Sequence, residues 1–411
     1  MTIPPACLGC GAPLTRTWVD LGRQPLSNNF ISLEDAGRAE AVYPLHARVC
    51  DVCLLVQVDS VVPPDAIFNK DYAYFSSFSD SWLAHCRGYV ADMVERFELN
   101  AGSRVIEIAS NDGYMLQYFV ERGIPVLGIE PSLNTARAAE ARGVRTETVF
   151  FGTATARDLA ERGEAADLIA AKNVMAHVPD INDFVAGIPI LLKPEGVFTV
   201  EFPHLLTTIE GVQFDTIYHE HFTYLSLLAV EVVFRRAGLR IFDVERLGTH
   251  GGSLRVFACR ADAAHTRTAR VETVRQAEIA AGLDRPEGYA GFDAKARRVR
   301  DDLLDFLRMA KAEGKTVIGY GAAAKGNTLL NYCGVDPGLL PLIVDLSPAK
   351  QNKLAPGSRV PVGTPQNLIE ARPEYVLILP WNLRPEIERQ MAGIRDWGGR
   401  FVVAIPALQI N

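Results

Sequence analysis

The run Arg104-Val-Ile-Glu-Ile-Ala-Ser-Asn-Asp-Gly113, followed by Tyr114-Met-Leu-Gln-Tyr-Phe119 and then Val126-Leu-Gly-Ile-Glu130, decides how this chain folds. Four apolar-rich residues reading as a short buried strand run into a polar turn closed by glycine, and helical periodicity resumes directly after it. The second strand stops at an acid followed by Pro131. Strand, glycine turn, helix, strand and acid form the opening of a doubly wound parallel sheet. In such sheets a nucleotide lies across the carboxyl ends of the strands, and Glu130 stands where an acid accepts hydrogen bonds from ribose hydroxyls.

Working outward, Ser81 to Leu99 reads as an amphipathic helix ahead of the first strand. Downstream, Asp167-Leu-Ile-Ala-Ala171 and Gly196-Val-Phe-Thr-Val-Glu-Phe202 continue the alternation. The segment Lys172-Asn-Val-Met-Ala-His177-Val-Pro-Asp180 falls at the sheet edge where catalytic groups usually sit. From about residue 260 to 310 an Ala-, Arg- and Asp-rich stretch reads as a linker helix. A second strand, glycine loop and helix follows at Thr316-Val-Ile-Gly-Tyr-Gly-Ala-Ala-Ala-Lys-Gly326, with Leu342-Ile-Val-Asp345 as the next strand and its acid.

Bare, Gly319-x-Gly321 with Asp345 fits a dinucleotide such as NAD and hence an oxidoreductase module. Against that, Lys325 replaces the third small residue of the fingerprint and puts a cation at the helix start, which suits phosphate or pyrophosphate. Val376-Leu-Ile-Leu379 leads into Pro380-Trp-Asn-Leu-Arg384, where Asn382 and Arg384 add donors.

The 411 residues allow two or three domains; 48% are hydrophobic and 22% charged, the balance of a folded soluble protein. A net charge of −7 argues against a surface built to track nucleic acid, although a few cations in one cleft can still bind a small phosphate. The amino terminus lacks a secretory signal pattern and no apolar run is long enough to span a bilayer, so the expectation is a cytoplasmic protein without a membrane partner. Structural disulfides are disfavoured there. The pairs Cys7-x-x-Cys10 and Cys50-x-x-Cys53 then read as two knuckles around one structural zinc, with a redox pair as the alternative.

The densest acid-base cluster is Tyr218-His-Glu-His221-Phe-Thr-Tyr224. It combines a proton acceptor, a carboxylate and substrate-contacting hydroxyls; a second metal site is the rival, without further ligands at a recognisable spacing.

These residues, together with Leu21-Gly-Arg-Gln-Pro-Leu-Ser-Asn28 and Tyr74-Phe-Ser-Ser-Phe-Ser-Asp80, resemble the three-domain nucleotide-sugar C-methyltransferases over nearly the whole length. The resemblance implies an α/β protein: a zinc-binding domain at 1–70, a class I methyltransferase domain with its doubly wound sheet at 71–260, and a Rossmann-like nucleotide-sugar-binding domain at 261–411. It implies S-adenosylmethionine as methyl donor, bound by Glu107, Ala109, Asn111, Gly113, Glu130 and Asn173. The acceptor it implies is a nucleoside diphosphate 4-keto-6-deoxy sugar, methylated beside the ketone. His221 is then the base, oriented or tuned by Glu220, with Tyr218, His177 and Tyr72 at the ketone or enolate oxygen and His219 turned into the scaffold. Lys325, Tyr74, Asn382 and Arg384 are the expected sugar-nucleotide contacts. One departure stands out: the donor turn reads Glu107-x-x-Ser-Asn-Asp-Gly rather than as a repeated-glycine loop. An NAD-linked sugar oxidoreductase and a non-enzymatic zinc-ribbon nucleotide sensor are the competing readings, and three domains with cores of their own can work as a monomer.

Overall fold

The computed structural model describes residues 4–59, 62, 76–78 and 80–411. Three sheets organise them. The central sheet has seven strands in the order Leu239–Leu247, Ser253–Arg260, Leu192–Pro203, Ala166–Lys172, Val105–Ile108, Val126–Ile129, Thr146–Glu147. Its last five strands are parallel, and Ser253–Arg260 runs antiparallel to both neighbours. Val105–Ile108 is buried at all four positions, as a strand covered by helices on both faces must be. The order reverses between Val105–Ile108 and Ala166–Lys172, so a crevice opens past their carboxyl ends, where Ser110, Asn111 and Asn173 stand.

The carboxy-terminal sheet repeats this plan. Val317–Tyr320 pairs in parallel with Ile343–Val344 on one side and Tyr375–Ile378 on the other, giving a second switch point above which Gly321 and Pro380 meet. Gly321 is needed there: its φ is +86° and a Cβ would lie 2.6 Å from the Pro380 ring. The amino-terminal module is an antiparallel sheet of Arg16–Gln24, Tyr43–Val49 and Val56–Val58.

Two short pairings tie the segments together. Ile31–Ser32 adds to the edge of the carboxy-terminal sheet through Lys353–Leu354, and Thr223–Tyr224, just after the His-Glu-His cluster, pairs with Val56–Val58. The stretch read as a linker helix is a core element instead. Phe292–Ala312 buries Phe292, Ala296, Val299, Leu303, Phe306, Leu307 and Ala310, a stripe at helical spacing. Trp18 of the amino-terminal sheet stacks on Phe292 at 4.2 Å, and the same core cluster continues into Leu329, Leu330, Ile343 and Leu377. Among the described residues no helix is long and apolar enough to cross a membrane.

Candidate active site

The four sulfurs of Cys7, Cys10, Cys50 and Cys53 lie within 4.8 Å of one another, with Cys7–Cys53 and Cys10–Cys50 at 3.5 Å. Sulfurs about 2.3 Å from a tetrahedral zinc stand about 3.8 Å apart, so the set fits that ion. Backbone N–H groups of Val52 and Cys53 point at the Cys50 sulfur, as thiolates in a knuckle require. All four positions being filled by protein, zinc here holds the module together and offers no open coordination site.

At the central switch point, backbone geometry explains the departure from a glycine-rich loop. Ala109, Asn111 and Asn173 have φ of +57°, +48° and +53°, and Gly113 has +76°. The left-handed conformations that glycines would adopt freely are here imposed on side-chain-bearing residues, a form of strain found at ligand sites. The turn is held by Glu130, whose Oε2 accepts the Asn111 N–H (3.0 Å) and whose Oε1 accepts the Ser132 N–H (2.9 Å). Burial raises the Glu130 carboxyl, opposed by those donors. Asn111 also accepts the Ser76 N–H with its side chain, tethering the segment ahead of the helix Asp80–Arg96. Glu107 is fully buried in its strand; burial pushes its carboxyl well above the ordinary range. The carboxy-terminal turn is built on the same plan: Asp345 accepts the Ala322 and Ser347 N–H groups, both at 2.7 Å.

The His-Glu-His segment lies beside this crevice. His221 donates its Nδ1–H to the Thr216 carbonyl at 2.8 Å, since a carbonyl can only accept, and that fixes Nε2 as the basic nitrogen. Its ring is 4.0 Å from Tyr218 and 4.6 Å from His177, and it lines a small cavity with Ala176, Phe202, Thr216, Thr223 and Tyr224. Burial, then the neighbouring His177, holds the His221 imidazole well below its usual value; burial alone brings His177 down to about 4. Both rings are neutral at pH 7.

The expected partnership of Glu220 with His221 is corrected by this geometry. The Glu220 carboxyl accepts from Asn28 of the amino-terminal module (2.8 Å), its own backbone carbonyl holds His177, and Thr216 orients His221. The physical reason is the turn itself: Nδ1 of His221 reaches back five residues to a backbone acceptor, leaving that nitrogen no room for a carboxylate. His219 faces the scaffold as expected, against the Pro44 carbonyl at 3.1 Å.

Lys325 reaches the same centre from the carboxy-terminal switch point. Its ammonium donates to Asn382 Oδ1 (2.8 Å) and sits 4.8 Å above the Trp381 ring, whose N–H bonds the buried Asp215 at 2.8 Å. Burial raises Asp215 to about 6 although Lys325 opposes it. Arg384 does not join them. It is engaged with Glu388 (2.7 Å), one turn along its own helix, and with Gln409 (2.9 Å), because it points back along Arg384–Gln390 rather than across the seam. Tyr72 and Tyr74 lie outside the described residues.

Two groups carried no signal in the sequence. Glu201 is buried within an apolar strand and contacts Lys172, Arg255 (2.7 Å) and His85 (3.0 Å), which together hold its carboxyl below the ordinary range despite burial. His250, at the tip of the hairpin before Ser253–Arg260, bonds Asn173 at 3.0 Å.

A strand order of this kind with a left-handed turn and a buried acid after the second strand, beside a four-cysteine zinc knuckle, is the arrangement of an S-adenosylmethionine-dependent methyltransferase with a zinc-binding module. Residues 82–244 match the family model of a methyltransferase domain, 7–68 that of a zinc binding domain, and 248–406 that of the C-methyltransferase C-terminal domain. Over 400 residues the chain is 37% identical to C-methyltransferase NovU of Streptomyces niveus, spanning 97% of this chain and 95% of that protein. The chain therefore belongs to the C-methyltransferase family that contains NovU, and its carboxy-terminal glycine turn serves a methyltransferase, not an NAD-linked oxidoreductase. It is also 28% identical over 159 residues to a ubiquinone biosynthesis O-methyltransferase of Rhodopseudomonas palustris (strain BisA53), covering 34% of this chain and 63% of that enzyme. The PH0226 protein of Pyrococcus horikoshii OT3 aligns with 48% of this chain and 97% of its own, at 15% identity and a TM-score of 0.38.

Proposed function

We propose that this enzyme methylates the carbon beside the ketone of a nucleoside diphosphate 4-keto-6-deoxy sugar, thymidine diphosphate being the expected carrier, in the cytoplasm. The observation that supports this most is the His221 tautomer: a neutral, buried imidazole with its proton committed to Thr216 is a base with nothing else to do. S-adenosylmethionine, when bound, supplies an electrophilic methyl group on a sulfonium sulfur. Glu130, Asn111 and Asn173 line the crevice expected to hold its nucleoside and methionine parts.

His221 Nε2 removes the acidic hydrogen next to the carbonyl. Tyr218, whose ring flanks His221, donates to the oxygen on which negative charge develops, and His177, its N–H committed to the Glu220 carbonyl, packs against the base. The carbon thus freed would take up the methyl that the donor supplies, leaving S-adenosylhomocysteine, and the proton stays on His221 until exchanged with solvent. Lys325 and Asn382 bind the pyrophosphate from the far side of the cleft. The test is to supply a thymidine diphospho 4-keto-6-deoxy sugar deuterated beside the ketone. Release of deuterium in step with S-adenosylhomocysteine supports the reading, and methyl transfer with deuterium retained overturns it.

A further inference from the structure

We infer that His250 is a positioning residue for the methyl donor: it fixes the Asn173 carboxamide so that its oxygen faces the α-ammonium group of the methionine portion. The inference rests on Asn173 belonging to the donor site.

Asn173 sits in a left-handed turn at the carboxyl end of Ala166–Lys172, on the edge of the central crevice. Its two side-chain atoms are in opposite circumstances. Nδ2 lies 3.0 Å from His250 Nε2, while Oδ1 is buried without a hydrogen-bond partner among the described residues. A buried amide oxygen left unmade is expensive unless a ligand supplies the donor. An amide can present either end, and the neighbour that accepts from Nδ2 decides which. Only an imidazole with an unprotonated Nε2 can do that. The His250 ring opens onto the cleft but is surrounded by protein, and that desolvation, with Lys325 nearby, holds it down at about 4.

The loop bearing His250 is built to keep it there. His250, Gly251 and Gly252 have φ of +55°, +88° and +116°. Trp381 of the carboxy-terminal domain covers Gly251 so closely that a Cβ would stand 2.5 Å from its ring, and Gln213 donates to the Gly251 carbonyl at 2.9 Å. Trp82 packs edge-on against His250 at 5.4 Å. The ring is therefore braced by Trp82 and its loop by Trp381, which comes from the domain that carries Lys325.

The test uses two probes, S-adenosylhomocysteine and 5′-methylthioadenosine, which lacks the amino-acid part. Calorimetric titration of the full-length holoenzyme compares the wild type with His250→Ala, His250→Gln and Asn173→Ala. His250→Ala is expected to weaken S-adenosylhomocysteine at least tenfold and to leave methylthioadenosine within twofold. His250→Gln, which restores an acceptor, returns S-adenosylhomocysteine to within threefold of wild type. Equal weakening of both probes, or no rescue by Gln, means that the loop only supports the fold and overturns the inference. Loss in Asn173→Ala with none in His250→Ala also overturns it while leaving Asn173 as a donor ligand. Unchanged selectivity in Asn173→Ala overturns the donor-site assignment itself.

Discussion

Replacing His221 by alanine removes the base assigned in the proposed reaction. General-base catalysis contributes about 10²–10⁴ in rate, which at 1.36 kcal/mol per tenfold is about 3–5 kcal/mol of barrier. The assay is S-adenosylhomocysteine release at saturating donor and sugar, with donor affinity measured separately by calorimetry. Turnover should drop by at least a hundredfold with donor affinity within twofold, since His221 lies beside the donor crevice and contributes nothing to the Glu130 turn. The pH profile carries a second readout. His221 acts unprotonated, so the rate falls as pH falls through its folded pKa, and burial places that acid limb well below 6.5. A variant within tenfold of wild-type turnover, equal loss of donor affinity, or an acid limb at 6.5 or above refutes the assignment.

Lys325→Met should weaken nucleotide-sugar binding about tenfold or more, the worth of a charge-assisted hydrogen bond; unchanged affinity in titration removes the phosphate role. Chelation should release one zinc per chain in a colorimetric assay and lower the melting temperature, and Cys50→Ser should do the same; a chain that keeps its melting temperature without metal contradicts a structural site. Asp215 rises from 3.8 to about 6 on folding, so the native state holds a proton that the unfolded chain releases, and stability falls by about 3 kcal/mol as pH rises from about 4 to 6. Asp215→Asn should then match the wild type near pH 4 and exceed it above pH 7 in urea unfolding; a constant difference across pH contradicts that origin.

The parts that were legible in sequence are those with local signatures. The paired cysteines, the strand at Val105–Ile108, Gly113 and Glu130 each carry a spacing or periodicity that survives without tertiary information. What was not legible depends on pairing at a distance. Ile31–Ser32 and Thr223–Tyr224 are two-residue strands with no period to read, yet the first joins the amino-terminal segment to the carboxy-terminal sheet and the second draws the chain after the His-Glu-His cluster into the amino-terminal sheet. Phe292–Ala312 shows an apolar stripe diluted by ten charged residues, so it resembles a solvated linker until Trp18 is found stacked on Phe292. Glu201 is hidden in an apolar strand, and its partners come from residues 29 to 116 positions away. His250 stood alone in sequence, and only the folded hairpin brings it to Asn173. Glu220 beside His221 suggested a partnership that the backbone redirected to Thr216 and Asn28.

The central claim is transfer of a methyl group to carbon on a nucleotide-linked keto sugar. It is tested most directly by incubating the enzyme with ¹³C-methyl S-adenosylmethionine and a thymidine diphospho 4-keto-6-deoxy sugar, then reading the product by carbon NMR. A labelled methyl with one-bond coupling to the ring carbon beside the ketone is the predicted result. A label bonded to oxygen or nitrogen, or no transfer while the protein binds S-adenosylhomocysteine tightly, would contradict it.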